Sequence, residues 1–339
     1  MKILRSLRWV LLPVVALAVG FVVHHRLDLR WPDSGAAVRR EWRPARVLET
    51  VERPASVATL LEIHDAAGPI TTAWLRVPRE LQADYEVLIT YVGHATGRKL
   101  LDLVPERPDV VLVAMQYSGE YRRETWSDKL ALPRVLRETT HDTVAGGMLA
   151  VEELERRGFE RQRLTILGVS VGTFFAVLHG AYDEAPPRVL IVHGGGDLRR
   201  VLGSIYTHRG RPWTGRLVGS LAWLFLDPVD PIHHVGKIAP RSFAMIASRG
   251  DTSFPEESAS LLYAEAGAPK AIAWTAGDHV RSKRPDIIAE LVESIDAYLQ
   301  GNLDFDERVG EPVERPSGRA EPVVEGGSQT PASEPRRTP

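Results

Sequence analysis

The segment Gly168-Val169-Ser170-Val171-Gly172 constrains the fold of this chain more than any other feature. It follows the apolar run 164–167, which predicts a buried strand, and it precedes residues 173–182, which predict a buried helix. A strand that turns directly into a helix needs small residues two positions either side of the tip. The pattern therefore predicts a tight turn that exposes the Ser170 hydroxyl and aims the next backbone N–H at the same point. The alternative is a glycine-rich turn with an incidental serine.

Apolar runs and helical patterns alternate along the body of the chain. Five further runs predict buried strands, at 86–92, 109–115, 188–192, 242–247 and 271–274. Helical patterns follow at 140–157, 256–265 and 285–299. The alternation predicts the α/β class, with a mostly parallel sheet and helices on both faces, opened by an antiparallel hairpin over 56–63 and 70–77.

A carboxylate and an imidazole follow two of the later strands. Asp251 comes shortly after the run 242–247, and His279 comes shortly after 271–274. Ligands of open parallel sheets bind outside the carboxyl ends of the strands, so we expect both side chains to reach the edge where Ser170 lies. A serine nucleophile needs a base and a carboxylate that orients the base. Asp197, which also follows a strand, is the alternative carboxylate.

The segments 168–172, 250–251 and 277–279 together resemble the α/β-hydrolase superfamily of serine hydrolases. The outline is similar to its bacterial esterase and dienelactone-hydrolase-like branches. The resemblance covers roughly residues 55–300. It predicts an α/β-hydrolase fold.

The resemblance implies a role for each candidate residue. Ser170 is the nucleophile, His279 is the general base and then the general acid, and Asp251 is the orienting carboxylate. The substrate is then a small molecule that carries an acyl group. The expected bond is an ester, and an amide or a thioester is less favoured. No cofactor is needed. An acyltransferase on the same fold is one alternative. A catalytically silent binding protein is another.

Two backbone donors are expected to stabilise the negative charge that develops on the substrate oxygen. The first is the N–H of Val171. The second lies in the loop after the strand 86–92, which reads Gly93-His94-Ala95-Thr96-Gly97. The superfamily often has His-Gly in this loop, and the order here departs from that. The donor is therefore the N–H of either His94 or Ala95.

The alternation of strands and helices breaks between the predicted strands 188–192 and 242–247, over residues 198–238. The resemblance implies a small cap between the sixth and seventh parallel-type strands. Its aromatic residues, Tyr206, Trp213, Trp223 and Phe225, either line an acyl pocket or pack the cap against the body.

The ends of the chain differ in composition from the body. Trp9–Val23 is uncharged and follows Lys2, Arg5 and Arg8, which predicts an N-terminal membrane anchor within residues 1–25 and an extracytoplasmic body, periplasmic in a double-membraned bacterium. A cleaved signal segment and a secreted product are the alternative. Residues 26–54 are expected to form a tether, 55–303 the α/β-hydrolase domain and 304–339 a disordered tail.

Composition excludes several other classes of protein and site. The absence of cysteine excludes disulfides, a cysteine nucleophile and thiolate metal sites. The net charge of −2 and the lack of a basic stripe predict no nucleic-acid partner. His193, His233 and His234 raise the question of a metal, but they form no His-Glu-x-x-His pattern, so no metal site is predicted. The sequence leaves the oligomeric state open.

Overall fold

A sheet of ten strands organises the protein. The computed structural model describes residues 15–23, 38–93, 99–117, 132–207, 226–281 and 283–309, and single residues between 215 and 223. The strands are β1 (Trp42–Glu52), β2 (Ser56–Asp65), β3 (Gly68–Pro78), β4 (Glu86–Tyr91), β5 (Val110–Met115), β6 (Leu164–Val169), β7 (Arg188–Val192), β8 (Ser242–Ser248), β9 (Lys270–Thr275) and β10 (Glu307–Val309). Their order in the sheet is β1-β2-β3-β5-β4-β6-β7-β8-β9-β10.

The six central strands, in the sheet order β5-β4-β6-β7-β8-β9, pair in parallel. Every residue of β5, β7 and β8 is buried, as expected for strands covered on both faces. The strands β1, β2 and β3 form an antiparallel meander on one side, and β10 is antiparallel to β9 on the other. This arrangement confirms the predicted α/β class and the opening hairpin.

Helices cover both faces of the sheet. The helices of the body are α1 (Leu100–Leu103), α2 (Leu132–Arg156), α3 (Gly172–Tyr182), α4 (Leu198–Thr207), α5 (Glu256–Glu265) and α6 (Pro285–Gln300), and all but α4 pack on the sheet through the two apolar clusters. The buried apolar residues form two clusters. One cluster lies between the sheet and α2, α3 and α5, and the other lies between the sheet, α1 and α6. The sheet therefore has a separate apolar core on each face.

The sheet extends past both ends of the expected domain 55–303. β1 lies within the predicted tether and pairs with β2, and β10 lies within the predicted tail and pairs with β9. Most side chains of β1 are exposed or half-buried, so its composition resembles a linker although its backbone completes the sheet. Strand pairing thus connects residues 42–52 and 307–309 to the expected domain. Residues 310–339 lie outside the described residues.

One finding contradicts the prediction of a membrane anchor over Trp9–Val23. Among the residues that the structure describes, no helix is both long and apolar enough to cross a membrane. The membrane partner and the extracytoplasmic location that rest on this anchor lose their support.

Candidate active site

Ser170 lies at the turn between β6, which ends at Val169, and α3, which begins at Gly172. Its φ angle is 58°, in the left-handed region that side chains rarely adopt. Two backbone hydrogen bonds hold this conformation. The Ser170 N–H donates to the carbonyl of Val192 at 3.0 Å, and the Ser170 carbonyl accepts from the N–H of Thr173 at 3.0 Å. The strained turn is therefore fixed by β7 on one side and α3 on the other.

The two glycines of the motif are required by close contacts. A Cβ at Gly172 would overlap the carbonyl of Tyr91 at the end of β4, and a Cβ at Gly168 would lie 2.6 Å from the Cβ of Ala176 on α3. Strand and helix thus approach too closely for a side chain at either position. The predicted strand–turn–helix unit is confirmed, together with the physical reason for its glycines.

Ser170, His279 and Asp251 form a continuous line of hydrogen bonds. Ser170 Oγ lies 2.7 Å from His279 Nε2, and His279 Nδ1 lies 2.7 Å from Asp251 Oδ2. The side chain of Asp251 is only 1% exposed and that of His279 is 9% exposed, whereas Ser170 is half-buried. Asp251 and His279 follow β8 and β9, as the sequence predicts. The structure therefore brings the three predicted residues together, in the order hydroxyl, imidazole, carboxylate.

The loop after β8 fixes both Asp251 and the imidazole. Asp251 Oδ1 accepts hydrogen bonds from the backbone N–H groups of Ser253 and Phe254, each at 2.7 Å. These two hydrogen bonds to the Asp251 carboxylate are charge-assisted, and such bonds are stronger than neutral ones. The Phe254 ring stacks on the His279 ring, with centroids 5.5 Å apart and an interplanar angle of 23°. Phe254 was not identified from the sequence, since a phenylalanine three positions after an aspartate carries no distinctive signal.

The competing carboxylates have other partners. Asp197 Oδ2 lies 3.2 Å from the guanidinium of Arg200, and its Oδ1 accepts from the Arg200 N–H at the start of α4. Asp278 Oδ1 accepts from the backbone N–H of His279 at 2.7 Å and from Thr252 Oγ1 at 3.0 Å. Neither carboxylate bonds to the imidazole of His279, and Asp197 instead anchors the first turn of α4.

His193, at the end of β7, is a further residue at this site. Its φ is 47°, and its ring centroid lies 6.2 Å from that of His279. The Val280 N–H donates to His193 Nδ1 at 3.1 Å. Burial lowers the pKa of His193 to about 4, so the ring is neutral at pH 7. From the sequence, His193 was considered only as a metal ligand.

The ligating atoms of His193, Asp251 and His279 lie within 4.8 Å of one another. A metal ion there would have to displace the 2.7 Å hydrogen bond between Asp251 and His279. His234 has a different environment, where Tyr182 OH lies 2.9 Å from Nδ1 and the Pro228 carbonyl lies 2.9 Å from Nε2. His233 Nε2 pairs with Asp227 at 3.1 Å. His233 and His234 therefore hold the 3₁₀ turns between β7 and β8 rather than a site at the sheet edge.

The backbone N–H of Val171 lies at the N-terminus of α3, because Val171 is the N-cap residue of that helix. The N-terminus of a helix carries partial positive charge, which favours an anionic oxygen nearby. His94 and Ala95, the two candidates for the second donor, lie outside the described residues.

The segment between β7 and β8 contains α4 and three 3₁₀ turns, which span Asp227–Val229, Pro231–His233 and Val235–Ile238. Ser204 on α4 donates a hydrogen bond to the carbonyl of Thr252 at 3.1 Å, which places this helix against the loop of Asp251. Trp223 is 42% exposed. Trp213 and Phe225 lie outside the described residues, as does the side chain of Tyr206.

A mostly parallel sheet, a serine in a tight strand-to-helix turn and an acid and a histidine after two later strands define the α/β-hydrolase fold. The predicted fold is thereby confirmed. Among solved structures, the chain is similar to an acetyl xylan esterase from Paenibacillus sp. R4, with 14% identity, a TM-score of 0.53 and coverage of 76% of this chain and 91% of that chain. It is also similar to acetyl xylan esterase 1 from Thermoanaerobacterium sp. JW/SL YS485, with 14% identity, a TM-score of 0.51 and coverage of 80% and 93%.

A third similar structure is the acylaminoacyl peptidase of Pyrococcus horikoshii. The identity is 15% and the TM-score is 0.51, and the match covers 80% of this chain but only 44% of that chain. No protein-family model matches the chain, and no curated protein matches it. At these identities the likeness establishes the fold.

Proposed function

We propose that the protein is a serine hydrolase that cleaves a carboxylic ester through an acyl-enzyme. The observation that carries the proposal is the line of two 2.7 Å hydrogen bonds from Ser170 Oγ through His279 to Asp251. The order of groups matches the requirement for a weak hydroxyl nucleophile, which needs a base within hydrogen-bond reach and a group that orients the base.

In the first half of the proposed reaction, Ser170 Oγ attacks the acyl carbon while its proton passes to His279 Nε2. Asp251 stabilises the resulting imidazolium through Nδ1–H, and its two bonds from backbone N–H groups keep it in place. The N–H of Val171, together with that of His94 or Ala95, would stabilise the tetrahedral oxyanion. His279 then returns the proton to the leaving alcohol, and the acyl group remains on Ser170.

The second half repeats the same proton transfers with water. His279 takes a proton from the water as it attacks the acyl carbon, and the proton returns to Ser170 Oγ as the carboxylic acid leaves. The atoms balance without a cofactor, because one water is consumed and one acid and one alcohol are formed. Two of the three similar structures are named acetyl xylan esterases, and this favours an ester over an amide as the bond that is cleaved.

Covalent labelling with a fluorophosphonate probe, combined with turnover of p-nitrophenyl esters, tests the proposal. We expect Ser170→Ala to abolish labelling and to lower turnover by about 10⁴- to 10⁶-fold. Ser294→Ala is a matched control, because Ser294 is a half-buried serine on α6 whose hydroxyl donates to the carbonyl of Glu290 in the same helix. It should label and turn over as the parent protein does.

Three outcomes would contradict the proposal. Retained turnover in Ser170→Ala would show that another group is the nucleophile. Labelling without hydrolysis, but with acyl transfer to an added alcohol, would identify an acyltransferase. A folded parent protein that neither labels nor turns over any ester would be a silent binding protein.

A further inference from the structure

An aliphatic cavity of about 240 Å³ opens beside Ser170 on the face of the sheet that α1 and α6 cover. Apart from Ser170 and Gly93, each of its described lining residues is a valine, a leucine or an isoleucine. They come from the ends of β4, β6 and β7, from α1 and α6, and, with Val280, from the loop after β9. Among the lining residues that the structure describes, the one polar side chain is that of Ser170, the proposed nucleophile.

A smaller cavity of about 70 Å³ adjoins it further along the same face. The two cavities share Leu100, Val104, Val169, Val292 and Ile295 as lining residues. Arg107 and Asp296 bound the smaller cavity and form an ion pair with each other, and Arg107 Nε also donates to Asp109 at 2.8 Å. The apolar path that begins at Ser170 therefore ends at a polar wall.

The wall formed by α1 is held in place by a buried arginine. Arg76, on β3, is 1% exposed, and its guanidinium donates to the carbonyls of Leu101 at 3.0 Å, Val104 at 2.8 Å and Pro105 at 2.9 Å. Bonds from a charged donor are the stronger kind. A four-residue helix would be marginal by itself, so Arg76 fixes the position of this wall relative to the sheet.

The length of the larger cavity sets the size of the group that fits. Its lining residues on α6 run from Ile288 to Ile295, which is about 10 Å along the helix axis at about 1.5 Å per residue. An extended chain of single bonds advances about 3.6 Å for every three bonds. The cavity therefore accommodates a chain of roughly eight bonds that begins near Ser170.

We propose that this cavity binds the acyl chain of the substrate, and that the preferred ester carries an unbranched medium-chain acyl group of about eight carbons. The inference rests on the proposed function, because it takes Ser170 Oγ as the atom that attacks the acyl carbon. A carbonyl at Ser170 would leave its alkyl chain among aliphatic side chains, where a hydroxylated or charged group would lose its hydrogen bonds to water without replacement. An acetyl group would leave most of the cavity unfilled, so the longer chain would be preferred.

A series of p-nitrophenyl esters from acetate to dodecanoate measures this preference. Each buried methylene contributes about 0.8 kcal/mol, which corresponds to about a fourfold gain in kcat/KM. We expect kcat/KM to rise with chain length to a total gain of at least about 100-fold at octanoate, and to stop rising once the cavity is filled. A profile that is flat, or that falls from acetate onward, would overturn the assignment.

Val292→Trp tests the location of the chain, because Val292 lines both cavities and a tryptophan there would fill the path. We expect the octanoate-to-acetate ratio of kcat/KM to fall at least tenfold. Ala289→Trp adds a tryptophan at an exposed position of the same helix and should leave the ratio unchanged. Because each ratio is taken within one variant, a loss of folded protein cancels. An unchanged ratio in Val292→Trp would place the chain elsewhere.

Calorimetric binding of octanoate to Ser170→Ala separates this inference from the proposed function. Octanoate should bind Ser170→Ala and should bind at least tenfold more weakly once Val292→Trp is added. If that pattern holds while the parent protein hydrolyses no ester, the proposed function fails and the cavity assignment stands. If esters are hydrolysed through Ser170 but the added tryptophan does not weaken octanoate binding, the cavity assignment alone fails.

Discussion

Two regions of the molecule contain the same sequence of groups, a hydroxyl, an imidazole and a carboxylate. At the sheet edge they are Ser170, His279 and Asp251, linked at 2.7 Å and 2.7 Å. We call this the open network. Beneath α3, Tyr91 OH lies 2.9 Å from His179 Nδ1, and His179 Nε2 lies 3.2 Å from Asp183 Oδ2. We call this the sealed network, because Tyr91 and His179 are fully buried.

The two networks have the same connectivity and differ in the exposure of their hydroxyl groups. Burial raises the pKa of Tyr91 well above that of an ordinary phenol, so its hydroxyl keeps its proton. Ser170 is half-buried, lies in a strained turn and opens onto a cavity. A helix N-terminus stands next to Ser170, at Val171. The comparison teaches that a hydroxyl–imidazole–carboxylate chain supports chemistry only where a substrate can reach the hydroxyl.

The largest predicted difference concerns the two carboxylates. Asp251→Asn should lower kcat for ester hydrolysis by about 10⁴-fold, because the amide no longer stabilises an imidazolium or its correct tautomer. Asp183→Asn should leave kcat within a few-fold, because the sealed network does not touch the substrate. Steady-state kinetics on the two variants measures both effects. Similar losses in both would show that the networks are coupled and that the comparison fails.

The second largest predicted effect is a loss of stability in acid, which arises at His193 beside the open network. Its pKa of about 4 in the folded protein lies below its ordinary value of 6.5. Between these values the unfolded chain binds a proton that the folded protein does not. The free energy of unfolding is therefore highest above pH 6.5. It falls as the pH drops toward 4, by up to about 3 kcal/mol from His193.

Urea denaturation between pH 7 and pH 4 measures this loss. His193→Asn should reduce the slope of stability against pH, since asparagine tolerates positive φ and retains an acceptor for the Val280 N–H. His234, whose pKa burial also lowers to about 4, should maintain part of the slope. Equal slopes in His193→Asn and the parent protein would exclude His193 as a source of the acid sensitivity.

The smallest predicted effect comes from Tyr91→Phe in the sealed network. His179 Nε2 donates to Asp183, so Nδ1 accepts from Tyr91 OH, and phenylalanine would leave that nitrogen buried without a donor. The free energy of unfolding should fall by about 1–3 kcal/mol, with kcat unchanged. Thermal denaturation and kinetics on the same sample test this. A variant of unchanged stability and lowered kcat would assign the sealed network a role in the reaction.

Most of the parallel sheet is predictable from the sequence, because strands buried on both faces are continuous apolar runs. The outer strands are not. β1 has the composition of a linker, and β10 is three residues long within a segment rich in charge and proline. Each exists because a neighbouring strand offers unpaired backbone groups, which is a tertiary property.

By itself, the sequence determined the turn that exposes Ser170 and the positions of Asp251 and His279 after two later strands, because glycine spacing and apolar runs are local properties. Only the tertiary structure decided that Asp251, rather than Asp197, meets the imidazole, and that His193 and Phe254 flank it. It also decided that α1 and α6 leave an aliphatic cavity beside Ser170. These features arise from the packing of elements distant in the chain, where the distances between side chains depend on the whole sheet.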